Sequence, residues 1–380
     1  MVNRSYWTEA VERAWRERSV VWLYGVRRSG KTCLCRSLPG VEYFDCELPR
    51  VRRMLADPEA FLGSLRGRRI VLDEIHRLAN PSELLKIAAD HFPSCRVLAT
   101  GSSSLAATAK FRDTLTGRKR NVWLTPMILP DLADFGRDDM RRRLLHGWLP
   151  PFFLADRPPE SDFQEWLDDY WAKDIQDLFR LERRFSFQRF AELLFAQSGG
   201  IFEATACAAP CEVSRTTVGN YLKVLEATLV VHVVRPFSTR RAAEIVSAPR
   251  VYAFDTGFVC CHRGWTDLRD DDCGPLWEHV VLNEMFARRQ RGDVHHWRDK
   301  RGHEVDFVLA GARHAPTAIE CKWRADRFDP AGMLAFRRQY PHGGNVVVAQ
   351  DVGRAYERRF GGLRVRFTGL PGLASGVARI

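Results

Sequence analysis

Short runs of apolar residues recur through the first part of the chain, and each is followed by small or charged residues. Val20–Tyr24, Ile70–Leu72 and Arg96–Thr100 are all shorter than a typical helix, and they lead into glycine or carboxylate positions. Continuous apolar runs of this length are typical of strands buried on both faces of a parallel sheet. The pattern therefore predicts an α/β core in this region.

Helical spacing is found on either side of these strands. Trp7, Val11 and Trp15 recur at helical intervals, which predicts an amphipathic helix within Met1–Ser19. Further along, aromatic and acidic residues at helical spacing predict one long helix over Asp162–Arg180. We expect its aromatic face to pack in a core rather than to line a ligand site.

The region Phe187–Val234 is predicted to be a winged helix-turn-helix. It contains three predicted helices and a wing strand, at Phe187–Gln197, Phe202–Ala209, Arg215–Ala227 and Leu229–Val234. Ser214 is expected to cap the third helix. If the module reads DNA, this helix enters the major groove and its outward residues contact phosphates and base edges. These residues are Arg215, Thr216, Thr217, Asn220 and Lys223. The alternative is a packing module that links two domains.

The first strand runs directly into a loop that fits the pattern G-x-x-x-x-G-K-[ST] without a mismatch. Such a loop wraps phosphates with backbone N–H groups, and the following helix faces the anion with its N-terminus. Lys31 is expected to reach the terminal phosphates and Thr32 to offer its hydroxyl to Mg²⁺. The sequence therefore predicts binding of ATP with Mg²⁺ by Gly25, Val26, Arg27, Arg28, Ser29, Gly30, Lys31, Thr32 and Cys33.

Two carboxylates, Asp73 and Glu74, follow the second apolar run. Asp73 is expected to hold the Mg²⁺, usually through water, and Glu74 to orient and polarise the water that attacks ATP. The alternative is a pair of surface acids at a strand end. With the phosphate-binding loop upstream, the pattern favours ATP hydrolysis.

Polar residues after the third strand are candidates for a phosphate sensor. Ser102 or Ser103 can sense the γ-phosphate, whereas Ser104 suggests the alternative of a helix cap. Downstream, Arg118 can neutralise transition-state charge in its own chain or in a neighbouring subunit of a homo-oligomer. Its alternative role is that of an ordinary surface arginine.

A second group of charged residues lies on two predicted strands near the C-terminus. Asp306 is within His303–Ala310, and Glu320 and Lys322 are within Thr317–Trp323. Side chains two residues apart on a strand share a face, so Glu320 and Lys322 point the same way and Asp306 can lie beside them. Asp306 and Glu320 can bind Mg²⁺, and Lys322 can position or activate water for phosphodiester hydrolysis.

This pattern is similar to the PD-(D/E)xK nuclease fold, which implies a fourth member on the preceding helix. Glu278 fits that role better than Glu284. The alternative is an inherited fold that binds nucleic acid or self-associates without cutting. His295, His296 and His303 flank a turn without a cysteine partner, and this favours a solvated turn over a metal site.

The order of these motifs resembles a prokaryotic family of AAA-type ATPases (AAA_14) that carry a C-terminal DUF4143 region. The resemblance rests on Tyr24–Thr32, on Leu72–His76, on Thr100–Ser104 and on Leu115–Arg118. It implies an ATPase core near residues 1–125 and strengthens the case for Arg118 as a catalytic residue. Arg27 and Arg28 match the family's loop, where they are either structural or directed at phosphate.

Composition adds three constraints. The net charge of +11 favours polyanionic partners such as DNA, although the charge is spread along the chain. The ten cysteines form no CxxC pair, and the N-terminus lacks the apolar centre of a signal peptide. Reduced thiols and a cytoplasmic location follow. No stretch approaches the roughly 18 apolar residues of a membrane span, so no membrane partner is expected.

The 380 residues exceed one ordinary core, so several domains are expected. We predict an α/β protein with a P-loop, AAA-like ATPase core at residues 1–125 and a helical lid or connector at 126–185. A winged helix-turn-helix follows at 186–240. The last domain, at 241–380, is an α/β domain similar to restriction endonucleases.

Overall fold

The computed structural model describes residues 2–101, 115–136, 139–157, 160–176, 183–238, 248–290, 293–311 and 314–377. Two sheets organise these residues. The first is entirely parallel, with strand order β2-β3-β4-β1-β5. Its strands are β1 (Val20–Tyr24), β2 (Val41–Asp45), β3 (Arg69–Asp73), β4 (Arg96–Thr100) and β5 (Lys119–Trp123).

Helices cover both faces of this sheet, as its apolar strands require. The helices of this part are α1 (Ser5–Glu17), α2 (Lys31–Ser37), α3 (Pro49–Met54), α4 (Pro58–Ser64) and α5 (Pro81–His91). Along β1, Val21 and Leu23 pack against α1, while Val20 and Trp22 pack toward α4 and α5. The predicted N-terminal helix is confirmed, with Trp7, Val11 and Trp15 buried.

A helical region follows the sheet. It contains α6 (Leu129–Phe135), α7 (Met140–His146), α8 (Pro150–Leu154) and α9 (Glu160–Tyr170), and a π-helical turn at Trp171–Ile175 continues α9. The predicted aromatic face of α9 is confirmed as core, because Phe163, Trp166 and Tyr170 are buried together. The residues at 177–180, which end the predicted long helix, lie outside the described part of the chain.

The next three helices are α10 (Arg184–Ala196), α11 (Ala204–Ala208) and α12 (Arg215–Ala227). α12 has the predicted bounds, and the hydroxyl of Ser214 accepts a hydrogen bond from the backbone N–H of Thr217 at 3.1 Å. The predicted cap of this helix is therefore confirmed. Two strands, β6 (Val231–Pro236) and β7 (Arg250–Ala253), pair antiparallel after it.

The second sheet has eight strands in the order β12-β13-β11-β10-β9-β8-β6-β7. Its other strands are β8 (Val294–Arg298), β9 (Glu304–Gly311), β10 (His314–Lys322), β11 (Asn345–Ala349), β12 (Tyr356–Phe360) and β13 (Leu363–Thr368). The accompanying helices are α13 (Thr256–His262), α14 (Asp270–Arg289), α15 (Ala331–Gln339) and α16 (Leu370–Val377). Because β6 and β7 belong to this sheet, it crosses the boundary predicted at residue 240.

The C-terminal histidines flank a turn between β8 and β9, as predicted, but His296 is buried rather than solvated. His295 and His296 both lie within β8. His303 lies outside the strands and its ring contacts Asp299 at 2.7 Å. Within the described ranges, no helix is both long and apolar enough to cross a membrane.

Candidate functional site

The loop between β1 and α2 has a backbone that depends on its glycines. Gly30 has a φ of 93°, a conformation that other residues adopt with strain. A side chain at Gly25 would collide with the carbonyl of Leu124, so this position needs glycine for a steric reason. Arg28 also has a positive φ, of 63°. The loop therefore folds as a tight turn whose end meets the first residue of α2.

Lys31 is buried at the centre of this turn. Its Nζ donates hydrogen bonds to the carbonyls of Gly25 and Val26, at 3.0 and 3.1 Å. Burial lowers the pKa of Lys31, and the nearby carboxylates Glu74 and Asp174 oppose that effect. Lys31 is thus held by the carbonyls of its own loop, at the position where a phosphate group can replace them as the acceptor.

A buried ion pair supports the loop from below. Arg4 donates to the carbonyl of Ser29 at 2.8 Å and pairs with Asp131 at 2.7 Å. Arg4 and Asp131 are both almost fully buried, which makes the pair costly to break from one side. The pattern in the sequence did not reveal this support, because the two residues are 127 positions apart.

Asp73 is oriented by hydroxyl groups from two neighbouring strands. Tyr43 donates to its Oδ2 at 2.6 Å, and the hydroxyl of Thr100 donates to its Oδ1. Thr100 in turn accepts a hydrogen bond from the backbone N–H of Glu74 at 3.1 Å. The carboxylate at the end of β3 is therefore fixed by residues of β2 and β4.

Glu74 lies next to Asp73 and has a left-handed backbone, with a φ of 54°. One of its carboxylate oxygens lies 3.1 Å from Nδ1 of His76. Burial on its own would raise the pKa of Glu74, but His76 and Lys31 outweigh it, and the pKa is lowered. The side chain is therefore an anion at neutral pH, as a group that orients water must be.

Carboxylates of the helical region hold the two arginines of the loop. Arg27 Nε lies 3.2 Å from Asp174, and Arg28 Nη2 lies 2.7 Å from Glu165 and 3.7 Å from Asp169. Burial raises the pKa of Asp174, although Arg27 and Lys31 act against that rise. The sequence left open whether these arginines are structural or directed at phosphate, and here both bind carboxylates.

Many of these groups line one cavity of about 870 Å³. Its lining includes Gly25, Arg27, Arg28, Gly30, Lys31, Thr32, Cys33, Asp73, Glu74 and Asp174. Val26 and Ser29 are buried beside it and contribute backbone atoms to the loop. A hydroxyl from Thr32 and a carboxylate from Asp73 are hard oxygen donors, so the donor set fits Mg²⁺.

One of the predicted residues in the described part of the chain is not brought to this cavity. Arg118 precedes β5, at the end of the strands that lies opposite to the loop. Its Nε pairs with Asp90 at 2.8 Å. Ser102, the predicted sensor, lies outside the described residues, as do Ser103 and Ser104. The structure thus assembles the loop, Asp73 and Glu74, and it adds Tyr43, Thr100 and Asp174.

The second predicted site lies on β9 and β10. Their antiparallel register pairs Phe307 with Ile319, so Asp306 and Glu320 are cross-strand neighbours one step further. Lys322 Nζ lies 2.9 Å from Glu320 and 3.8 Å from Asp306. Asp306 also accepts a hydrogen bond from the backbone N–H of Cys321 at 2.8 Å. The three predicted side chains are therefore together.

Glu278 of α14 joins this group through Tyr252, whose hydroxyl donates to it at 2.8 Å. Burial and the nearby Asp306 raise the pKa of Glu278 to about 8. The same two causes raise the pKa of Glu320. Glu284 is elsewhere, since it is buried against the backbone of Leu129 and pairs with Arg288 at 3.2 Å.

A buried arginine faces the same carboxylates. Arg250 forms an ion pair with Glu304 and lies 3.9 Å from Asp306. Burial on its own would lower the pKa of Arg250, but the nearby acidic groups Tyr252, Glu278 and Glu304 outweigh it and raise the pKa. Together with Lys322, Arg250 neutralises part of the acidic group. The sequence did not suggest this residue, because β7 and β9 are far apart along the chain.

The carboxylates suit a divalent cation by their chemistry, since Mg²⁺ and Mn²⁺ prefer oxygen ligands. Across the described ranges, however, no three His, Cys, Asp or Glu side chains are arranged as a metal site. The acids of this group are instead turned toward Lys322, Arg250 and Tyr252. Asp306 and Glu320 are the donors best placed to bind a metal.

The third predicted interface is the outer face of α12. Arg215, Thr216, Asn220 and Lys223 are exposed, and Thr217 is half-buried. The opposite face buries Val218, Tyr221, Leu222 and Leu225 in the core. The helix therefore presents two cations and three hydrogen-bonding side chains to solvent.

Family models match three consecutive parts of the chain. An AAA domain (AAA_14) matches residues 17–132, a domain of unknown function (DUF8612) matches 137–269, and a second domain of unknown function (DUF4143) matches 273–362. The chain thus carries AAA_14 and DUF4143 domains in the predicted order, and the first is an AAA-type, P-loop ATPase-like domain. Helices α10 to α12 fall within the DUF8612 match.

Two relatives and one solved structure are similar to the chain. The uncharacterized proteins Rv2008c of Mycobacterium tuberculosis and Mb2031c of Mycobacterium bovis are each 29% identical over 322 residues, or 81% of this chain and 71% of theirs. The Walker-type ATPase of Pyrococcus abyssi is 15% identical. It aligns with 69% of this chain and 96% of its own, with a TM-score of 0.44.

Proposed function

We propose that this protein is an ATP-dependent nucleic-acid enzyme. ATP binds and is hydrolysed at the β1–α2 loop, and it controls DNA binding by α12 and DNA cleavage by the acidic group of α14, β9 and β10. The observation that carries this proposal is the meeting of Lys31, Asp73 and Glu74 around one cavity of about 870 Å³.

The ATP site has a role for each of its groups. Lys31 leaves the carbonyls of its own loop and binds the terminal phosphates, where its charge offsets theirs. Thr32 and Asp73 would hold Mg²⁺, which neutralises charge on the phosphates when it is bound. Glu74 accepts a hydrogen bond from the attacking water and aligns it with the γ-phosphorus.

The face of α12 supports DNA as the partner. Arg215 and Lys223 would neutralise backbone phosphates, while Thr216 and Asn220 can bond to base edges in the major groove. The exposure of all four residues is what such an interface requires. This interaction is electrostatic in large part, so it should weaken as salt rises.

The C-terminal group supports hydrolysis of a phosphodiester. Water attacks the phosphorus, one P–O bond breaks, and the water's proton ends on the leaving oxygen or on solvent. Lys322 positions the water and offsets the charge that develops, and Asp306 and Glu320 would bind a divalent metal ion that polarises the phosphate. Glu278 of α14 would be the fourth member of the group, beside Asp306.

The test is an incubation of purified protein with supercoiled plasmid, with and without ATP and with Mg²⁺, Mn²⁺ or EDTA. We expect nicked or linear DNA only with a divalent metal, and at a rate that ATP changes. ATP turnover is measured in the same samples by phosphate release. No phosphate release under any of these conditions would contradict the ATPase part of the proposal.

A second candidate function is an ATP-controlled DNA-binding switch that does not cut. The ion pairs of Lys322 and Arg250 with the acidic group favour it, because they satisfy the acids without a metal. The two functions differ in one result. If plasmid, linear, branched and single-stranded DNA all stay intact while ATP still changes DNA affinity, the switch is correct.

A further inference from the structure

The phosphate-binding loop and the helical region are joined by charges of opposite sign. Arg27 faces Asp174, and Arg28 faces Glu165 and Asp169. In addition, the indole N–H of Trp166 donates to the carbonyl of Arg27 at 3.1 Å. Every one of these partners lies in α9 or in the π-helical turn that follows it, so one segment holds the whole arginine pair.

Asp174 differs from the other partners in its position. Its side chain is almost buried and it lines the same cavity as Lys31, Asp73 and Glu74. Glu165 lies outside the cavity lining and is well exposed. A nucleotide in this cavity would therefore bring its phosphates close to the ion pair of Arg27 and Asp174.

The guanidinium of Arg27 would have two competing partners, Asp174 and the phosphates of a bound nucleotide. Nε of Arg27 donates a hydrogen bond to Asp174. Arg27 and Asp174 both line the cavity. Phosphate oxygens are preferred partners of a guanidinium and compete with a carboxylate for it. Binding of the nucleotide thus favours a shift of Arg27 from Asp174 to the phosphates.

We propose that Asp174 is a further residue of the nucleotide site, contributed by the helical region, which holds Arg27 until nucleotide phosphates replace it. Asp174 acts through Arg27 and is a positioning residue. The π-helical turn places it there, and such turns are frequent at functional sites. The inference rests on the proposed ATP site but does not require DNA cleavage.

The consequence is a link between nucleotide and helical region. When Arg27 moves to the phosphates, Asp174 loses its cation, and the segment Glu160–Ile175 is held to the loop by fewer contacts. Amide exchange in that segment should then become faster when nucleotide binds. Loosening of this segment would transmit nucleotide binding to α10 to α12, which follow the segment in the chain.

The test is a double-mutant cycle on affinity for a non-hydrolysable ATP analogue with Mg²⁺, measured by calorimetry. Asp174→Asn should tighten binding about two- to fivefold, the scale of a partly exposed ion pair. Arg27→Ala should weaken binding, and in that background Asp174→Asn should have no further effect. Asp168→Asn is the matched control, because Asp168 lies in α9 but contacts Arg184.

Equal gains from Asp174→Asn with and without Arg27, or weaker binding in Asp174→Asn, would overturn the inference. If that variant does not fold, hydrogen exchange of the wild type decides, since unchanged exchange over Glu160–Ile175 upon binding contradicts it. If wild-type protein binds no analogue, the proposed ATP site is wrong and the inference falls with it. If it binds but the cycle is additive, only the inference fails.

Discussion

Arg118 and Lys31 lie at opposite ends of two neighbouring parallel strands in the same five-stranded sheet. Strands β1 and β5 are parallel and in register, with Val20 opposite Lys119, so Arg118 is at the start of β5 while Lys31 follows the end of β1. A five-residue strand spans about 15 Å, which is beyond the reach of an arginine side chain. Arg118 is therefore too far from the loop of its own chain, and the predicted catalytic role would require a neighbouring subunit.

This geometry predicts complementation between two inactive variants. Arg118→Ala should turn over ATP slowly although it binds ATP, and Lys31→Ala should not bind ATP. When they are mixed, some sites combine an intact loop with an intact arginine, and phosphate release should recover to a measurable fraction of the wild-type rate. The control is Arg68→Ala, because Arg68 is exposed and precedes β3 at the same end of the strands. Absence of recovery, or full activity of Arg118→Ala alone, would remove this role.

The ATP site itself predicts a separation of binding from hydrolysis. Lys31→Ala should lose most affinity for ATP, because the phosphates lose their cation. Glu74→Gln should bind ATP normally and hydrolyse it at least about a hundredfold more slowly, since the water loses the carboxylate that orients it. Steady-state turnover and equilibrium binding measure the two effects, with exposed Glu83→Gln as control. Equal turnover by wild type and Glu74→Gln would refute the assigned role.

Much of this site could be predicted because its residues are close in sequence. Tyr24 to Thr32 form one strand–loop–helix unit, and Asp73 and Glu74 end the adjoining strand. Asp174 and Arg4 could not be found in this way, since only the packed helices bring them to the loop. Asp174 is 147 positions from its partner Arg27. Arg4 is 25 positions from Ser29 and 127 positions from Asp131. A charge pattern along the chain contains no information on such contacts.

The same distinction applies to the secondary structure. Helix α12 was predicted to the residue because Ser214 marks its start and its apolar positions recur at helical spacing. Strand β5 was missed because its first three residues, Lys119, Arg120 and Asn121, are polar. Its position at the edge of the parallel sheet leaves them partly or fully exposed. Strands β12 and β13 were also missed, because their outward residues are mostly charged.

DNA binding by α12 predicts a defined change in salt dependence. Replacing Arg215 and Lys223 with alanine should weaken binding of duplex DNA and flatten the slope of log affinity against log salt by about two. Fluorescence anisotropy measures both. The control is Arg50→Ala with Arg53→Ala, which removes the same charge from the exposed face of α3. If the two double variants behave alike, α12 is not the interface.

Buried histidines predict a loss of stability in acid. Burial lowers the pKa of His232 to about 3, so the folded state excludes a proton that the unfolded state binds below about 6.5. The free energy of unfolding should therefore fall as pH drops, by about 2 kcal/mol for this group between pH 7 and 5. His232→Phe should remove that part, because phenylalanine fits between Trp123 and Phe286.

Denaturant unfolding at the two pH values measures this difference. Exposed His91→Asn is the control and should keep the wild-type pH dependence. An identical acid loss in wild type and His232→Phe would show that His232 is not buried in its neutral form.

The C-terminal group predicts variants that separate metal binding, cleavage and folding. Asp306→Ala should abolish plasmid cleavage by removing a metal ligand, and it should leave ATP turnover intact because the nucleotide cavity is elsewhere. Lys322→Ala should also abolish cleavage while Mn²⁺ still binds, since the carboxylates remain. Exposed Glu357→Ala, in β12, is the matched control for loss of a carboxylate.

The two glutamates of α14 should differ in kind. Glu278→Ala should reduce cleavage, because Glu278 accepts the hydrogen bond of Tyr252 and lies beside Asp306 in the acidic group. Glu284→Ala should instead lower the unfolding temperature, since it leaves Arg288 and the backbone N–H of Leu129 without their buried partner. Plasmid cleavage and thermal unfolding of both variants decide the assignment. Cleavage that depends on Glu284 in a stably folded protein, but not on Glu278, would move the helical member of the site from Glu278 to Glu284.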